Sequence, residues 1–202
     1  MQLTEYIALI NKAVATTKPI EWFAVTTSLL YVLLAGKQQI ACWIFAFVSS
    51  ISYVIISYTT LLYVDALLNS IYAILAIIGW ITWKAKADQQ PIKKLSWRFH
   101  GLIIIGSILL GGLSGYLLDN YTDQVFPYLD AVLFFLSISA TWMITKKIIE
   151  NWLYFIVIDC AMIGIYFNRS LFLSSLLFVL YTIFALKGFF YWRKMLQNNT
   201  TN

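Results

Sequence analysis

Residues 72–84, YAILAIIGWITWK, and residues 181–193, YTIFALKGFFYWR, carry one pattern: Tyr72, Ala76, Gly79, Trp83 and Lys84 in the first, Tyr181, Ala185, Gly188, Trp192 and Arg193 in the second. Steps of three and four residues keep the Tyr, Ala, Gly and Trp of each set on one face of a helix, and a base follows directly. The offset between the two stretches is 109 residues, and it extends outward without a gap. Segment 20–84 lies over segment 129–193, so that Trp43 meets Trp152, Lys37 meets Lys146 and Glu21 meets Asp130. Apolar pairs such as Leu67 and Leu176 say little, but tryptophan and glycine are poorly interchangeable, and their coincidence marks an internal repeat.

The solvent for this repeat is lipid. Of the 202 residues, 61% are hydrophobic and 11% are charged, against roughly 25% charged in an average soluble domain. A span needs about 20 mostly apolar residues. Seven such segments are expected, at about 20–36, 40–57, 61–83, 99–118, 128–145, 151–167 and 171–192. Residues 1–18 are expected as an N-terminal amphipathic helix, with Leu3, Tyr6, Ile7, Ile10 and Val14 on one face, too short and polar to span. No cleaved signal peptide is expected at the N-terminus. The linker 84–98 contains Pro91 and several bases and is too polar to be embedded.

Each repeat holds three helices, an odd number, so a single span at 99–118 is needed to return the second repeat to the orientation of the first. The expected fold class is therefore all-α transmembrane, three plus one plus three, with parallel repeats. This divides the chain into 20–84 as repeat 1, 85–127 as basic loop and linker helix, 128–194 as repeat 2 and 195–202 as a polar tail. Parallel repeats are a known transporter plan, with the solute site at their interface.

The net charge of +5 would raise nucleic acid as a partner of a soluble protein; here the positions of the bases matter more. Lys37, Lys84, Lys86, Lys93, Lys94, Arg98, Lys146, Lys147, Arg193 and Lys194 fall on one side, and Lys12, Lys18 and Arg169 on the other. Basic loops face the cytoplasm, which places the N-terminus outside and the C-terminus inside.

A carboxylate deep in a membrane is a functional candidate by default. Asp159 sits midway along the sixth span, on one face with Trp152 and Phe155, and Asn151 borders that face. Asp65, Asn69 and Tyr72 continue the stripe of the third span, and Ser174, Phe178 and Tyr181 that of the seventh. Gly79 and Gly188 are expected to allow close packing and rocking of one repeat against the other. Trp83 and Trp192, at the ends of their helices, suit helix packing or an interfacial belt, whereas Trp43 and Trp152 sit deeper. Lys187 is close enough to a helix end to snorkel. Cys42 and Cys160 fall in apolar runs and are expected as buried free thiols. Aromatic walls with one buried acid suit a flat cationic solute, held by stacking and cation–π attraction. With a single histidine, His100, and no phosphate-binding loop, dinucleotide fingerprint or zinc motif, neither enzyme chemistry nor a cofactor or metal is expected.

ENWLYFIVID at 150–159, FALKGFFYW at 184–192 and IIGWITW at 77–83 resemble the PnuC family of nicotinamide riboside transporters across the seven-span core. The resemblance implies the three-plus-one-plus-three plan, a homotrimer in the bacterial inner membrane, and facilitated diffusion with trapping of the vitamin by a separate intracellular kinase. The family's sixth-span pattern begins with the Asn and Trp found here as Asn151 and Trp152; its second Trp is Phe155 and its later Asn is Asp159. The family's third-span Gln, ten residues before the Gly, is Asn69. The substrate readings are nicotinamide riboside first, on the resemblance, and thiamine second, since its aminopyrimidine pairs with a carboxylate; neutral riboflavin gains less from Asp159. Proton or sodium coupling has no paired buried carboxylates behind it. A reading of another class is a non-transporting scaffold or sensor that docks a partner on the loop 84–98.

Overall fold

The computed structural model describes residues 3–60, 62–85, 91–123, 125–169 and 171–200. Among them the chain forms eight helices: α1 (Leu3–Thr16), α2 (Pro19–Gly36), α3 (Cys42–Thr59), α4 (Tyr63–Ala85), α5 (Trp97–Tyr121), α6 (Pro127–Thr145), α7 (Asn151–Asn168) and α8 (Phe172–Thr200). The last seven are long and apolar enough to cross a membrane, as expected for a chain whose backbone polar groups must be satisfied internally in lipid. Pro19 and Pro127 stand in the first turns of α2 and α6, where a missing N–H leaves no helical bond unmade. The polar stretch from 195 continues α8 rather than leaving it. Of the linker 84–98, residues 86–90 lie outside the described residues.

Six helices close a ring. α2 packs on α3, α3 on α4, α4 on α6, α6 on α7, α7 on α8, and α8 returns to α2. α5 packs against α6, and α1 against α8. With the 109-residue offset, α2, α3 and α4 correspond to α6, α7 and α8. Under that offset the seams α4–α6 and α8–α2 join corresponding pairs of helices.

The two α-to-α turns at the basic end of the ring repeat in detail. Gln38 and Lys147 occupy the left-handed region, at φ 55° and 52°. The N–H of Gln39 donates to Leu34 O at 2.9 Å and that of Ile148 to Met143 O at 3.0 Å. Neither position is glycine, so each turn carries a strain of roughly 1 kcal/mol. Offsetting it, both turns satisfy carbonyls that the helix ends leave open.

Small residues set the closest approaches. A Cβ added to Gly111 on α5 would lie 2.7 Å from the Cα of Val132, and one on Gly115 2.7 Å from the Cα of Tyr128, both on α6. One added to Gly112, the next residue on α5, would meet nothing within 4 Å. Gly111→Val is therefore expected to lower stability by about 1–3 kcal/mol through overpacking, and Gly112→Val to show no comparable loss, since valine is the better helix former and meets nothing there. Thermal unfolding of both variants in one detergent is the check; equal midpoints would show that α5 is not seated on α6 through Gly111.

Cys42 is fully buried, but Cys160 is exposed on the outer surface of α7. The expectation of two buried thiols is corrected for Cys160: on a lipid-facing surface an apolar run carries no information about which face points inward. His100 is buried and its Nδ1 lies 3.0 Å from the Tyr154 hydroxyl, away from the ring interior.

Candidate functional site

The ring encloses a cavity of about 440 Å³. Trp43, Asn69, Tyr72, Trp152, Phe155, Asp159 and Tyr181 all line it, so six side chains singled out on three helical stripes, and Trp43 on a fourth helix, converge on one space. Asp65, Ser174 and Phe178 line it too. Asp65, in the first turn of α4, lies at the end remote from the basic turns, where it is exposed. Asp159 is 5% exposed and takes part in no ion pair among the described residues, where the one ion pair is Arg169 Nη2 with Asp130 Oδ2 at 2.8 Å. The described lining holds two carboxylates and no lysine, arginine or histidine.

Tryptophans close the basic end. Trp43 meets Trp83 edge to face, at 5.3 Å and 88°, and Trp152 meets Trp192 in the same way, at 5.5 Å and 88°. Trp83 and Trp192 meet each other at 6.4 Å and 46°. The four indoles run as one chain, Trp43–Trp83–Trp192–Trp152, from one repeat to the other. Each edge-to-face pair is worth about 0.5–1.5 kcal/mol beyond its buried area. That matters more in lipid than in water, because hydrophobic burial does not drive helix association there. Trp83 and Trp192 are 3% and 0% exposed. The packing alternative therefore holds for them, and the interfacial belt is corrected: the ring of helices turns the faces that carry these two indoles inward, onto each other.

The glycines of the two stripes seat these indoles. A Cβ on Gly188 would lie 2.8 Å from Cη2 and Cζ2 of Trp152, and one on Gly79 would collide with Cε2, Cδ2 and Cζ2 of Trp43. Neither glycine lines the cavity itself. Asn151 does not line it either: it is fully buried, and its Nδ2 donates to Ile148 O in the turn before α7. Its place in this structure is to shape the turn that delivers Trp152. Lys187 is exposed, with Nζ 5.9 Å from the Phe184 ring, in keeping with a snorkelling role.

Several lining residues escape a reading of the sequence. Tyr31, Tyr53 and the hydroxyls Ser28, Ser49, Ser50, Ser57, Ser137 and Thr141 stand in apolar runs, where small hydroxyls pass as helix-tolerant filler. One signal was available. Ser28 and Ser137 are separated by the same 109 residues as the tyrosines they face. Ser28 Oγ shares a short hydrogen bond with the Tyr181 hydroxyl across the α2–α8 seam, and Tyr72 faces Ser137 and Thr141 across the α4–α6 seam.

The sequence profile of the nicotinamide mononucleotide transporter family matches residues 18–194. The chain belongs to this family. It is similar to the nicotinamide riboside transporter PnuC of Escherichia coli K12, 24% identical over 201 residues that cover 86% of this chain and 84% of that protein. It is also similar to the nicotinamide riboside transporter PnuC of Neisseria mucosa, 26% identical over 210 residues that cover 95% of this chain and 79% of the other. Among solved structures, that of the vitamin B3 transporter PnuC superimposes with a TM-score of 0.71 at 24% identity, covering 98% of this chain and 94% of that one; at this identity the match speaks to fold. Family membership makes the chain a multi-pass membrane transporter, not an enzyme, and the scaffold reading loses its ground.

Proposed function

We propose that the chain carries nicotinamide riboside, or a closely related cationic B-vitamin, by facilitated diffusion across the bacterial inner membrane. The observation that carries this reading is the cavity lining: aromatic rings, hydroxyls and two carboxylates, with no base among the described residues. A pyridinium ring is attracted by indole and phenol faces and its charge is balanced by Asp159. The family description names a mononucleotide, whereas the relatives are named for the riboside. The lining favours the riboside, because a phosphate dianion would meet Asp65 and Asp159 with nothing to neutralise it. In this reading Asp159 and Asn69 bond polar groups of the solute, while Trp43, Tyr72, Trp152, Phe155 and Tyr181 enclose its rings.

The two repeats, joined by α5, act as parallel units in a three-plus-one-plus-three plan. The equivalent seams and the matched left-handed turns at Gln38 and Lys147 support it. The basic end is cytoplasmic, which places the N-terminus outside, with α1 lying on the membrane surface. Assembly as a homotrimer and trapping by an intracellular kinase complete the proposal. Thiamine is the second substrate reading, favoured by a buried carboxylate where an aminopyrimidine could pair.

The test is tryptophan fluorescence of the detergent-solubilised protein, titrated in parallel with nicotinamide riboside, its 5′-phosphate, thiamine and riboflavin. Saturable quenching by the riboside alone is the expected result. Quenching by thiamine alone would transfer the assignment, and quenching by the phosphate at equal affinity would overturn the electrostatic argument.

A further inference from the structure

Beneath the tryptophan chain, at the basic end, residues 91–96 are not a free loop. The N–H of Lys93 donates to Lys147 O and the N–H of Ile149 donates to Lys93 O, both at 3.0 Å. These two bonds make a single parallel bridge between Lys93 and Ile148. The N–H of Leu95 donates to Glu150 Oε2 at 3.2 Å. Between these anchors and Pro91, Ile92 is 4% exposed and packs into the cluster that holds Trp43, Trp83, Trp152 and Trp192. Lys147, in the turn that receives the strap, places Nζ 5.0 Å from the Trp83 ring. Burial pushes its ammonium below the usual lysine range, and the ring face offsets part of that cost.

The strap breaks the twofold relation of the repeats. Trp192 Nε1 donates to Ala35 O and Gly36 O, at 3.2 and 3.0 Å. Its counterpart Trp83 Nε1 is buried without an acceptor, as are Trp43 Nε1 and Trp152 Nε1. A closed plug with three unpaired donors is less favourable than its burial suggests, because each buried unpaired N–H carries a desolvation penalty. Something must hold it shut, and at the seam where the symmetric hydrogen bond is missing, the strap supplies backbone bonds and an isoleucine instead.

We propose that residues 91–96 are a latch that holds the basic end of the cavity closed, and that this end opens only when Ile92 leaves the tryptophan cluster and the Lys93–Ile148 bridge parts. The latch belongs to the short connection between α4 and α5, so parting it frees repeat 1 to move against the α6–α7 turn. The inference rests on the transport reading only for its consequence, since opening of the plug is measurable without a solute.

Cys42, fully buried in the same cluster, is the reporter. In a Cys160→Ser background, Ile92→Ser is expected to raise the rate of Cys42 alkylation by N-ethylmaleimide about tenfold, while Gly112→Val, on α5 outside the ring, leaves it unchanged. In a second variant, Lys93→Cys and Ile148→Cys in a chain carrying Cys42→Ala and Cys160→Ser, oxidation is expected to crosslink the latch. Uptake by proteoliposomes should then fall at least tenfold and return on reduction. Equal Cys42 alkylation in the Ile92→Ser and parent proteins would overturn the latch, as would full uptake by a fully crosslinked protein or failure of the two cysteines to pair. If fluorescence finds no vitamin bound while the alkylation difference persists, the substrate assignment fails and the latch stands.

Discussion

Gly188→Val is expected to reduce solute uptake more than a hundredfold, a difference of roughly 2.7 kcal/mol. The new Cβ would sit 2.8–2.9 Å from three atoms of the Trp152 indole, and the two further methyl groups would come on top of that. A flexible side chain could swing aside. Trp152 cannot retreat, because Trp192 is packed edge-on against it at 5.5 Å and both rings are essentially fully buried. The remaining direction is into the cavity of about 440 Å³ whose wall Trp152 forms, so the displaced ring takes the space meant for the solute. Gly164→Val is the paired control: it lies on α7, where an added Cβ meets nothing within 4 Å, and uptake should be close to that of the parent. By the repeat, Gly79→Val should act on Trp43 as Gly188→Val acts on Trp152. Proteoliposome uptake, normalised to protein that elutes monodisperse, is the measurement. If Gly188→Val and Gly164→Val transport equally, Trp152 does not shape the solute space. A sharper check is the double variant Gly188→Val, Trp152→Phe: a smaller ring leaves room for the valine, so partial recovery over Gly188→Val alone would locate the damage in this contact.

The 109-residue correspondence shows in the sequence because tryptophan and glycine are rarely exchanged and because it runs without a gap. The structure shows why that register is constrained: each glycine is the seat of an indole from the neighbouring helix, Gly79 for Trp43 and Gly188 for Trp152. Changing either member alone produces a collision or a void. Seven of the eight proposed contact residues face one cavity for a related reason. Steps of three and four along a helix are face assignments, and in a ring of six helices each helix has one inward face.

What the sequence did not disclose has physical causes too. Trp83 and Trp192 stand at the basic end of the ring, where an indole can look outward to headgroups or inward to a partner, and only the neighbouring helix decides. Asn151 falls one residue before Trp152 and borders its face, but at the first position of α7 its amide bonds back to Ile148 O, a local alternative that periodicity does not weigh. Ile92 is a single apolar residue between Pro91 and two lysines, too short a signal for any period, yet it is buried. Serines are a subtler case. A hydroxyl in a membrane helix usually bonds to a carbonyl one turn back, as Ser52 does to Val48 O at 2.9 Å, and so resembles an apolar residue until a partner such as Tyr181 is brought opposite.

Asp159→Asn should separate stability from function. Asp159 is buried on the cavity wall, with no cation paired to it among the described residues. A carboxylate so placed is costly for the empty protein and is a charge waiting for a partner. At about 4 Å and an effective dielectric near 20, a cationic ring would gain roughly 4 kcal/mol from it. Part of that gain is lost to desolvating the cation. An asparagine keeps the shape and the hydrogen-bonding capacity but removes the charge. The expected result is an affinity for nicotinamide riboside or thiamine lower by about 10- to 100-fold, equivalent to roughly 1.4–2.7 kcal/mol. The melting temperature of the solute-free protein should be unchanged or raised. Binding of a neutral flavin, if any, should be unaffected, since it gains nothing from the charge. Parallel fluorescence titrations and thermal unfolding of the two proteins decide the matter. A residue that served only to hold α7 in place would show the opposite pair of results, with lower stability and unaltered affinity, and Asp159 would then leave the site. Asp65, the other acid on the cavity lining, is exposed at its far end, where water screens its charge; Asp65→Asn should therefore weaken binding far less. Equal losses at both positions would mean that the solute rests between the two carboxylates rather than against the tryptophans at the basic end.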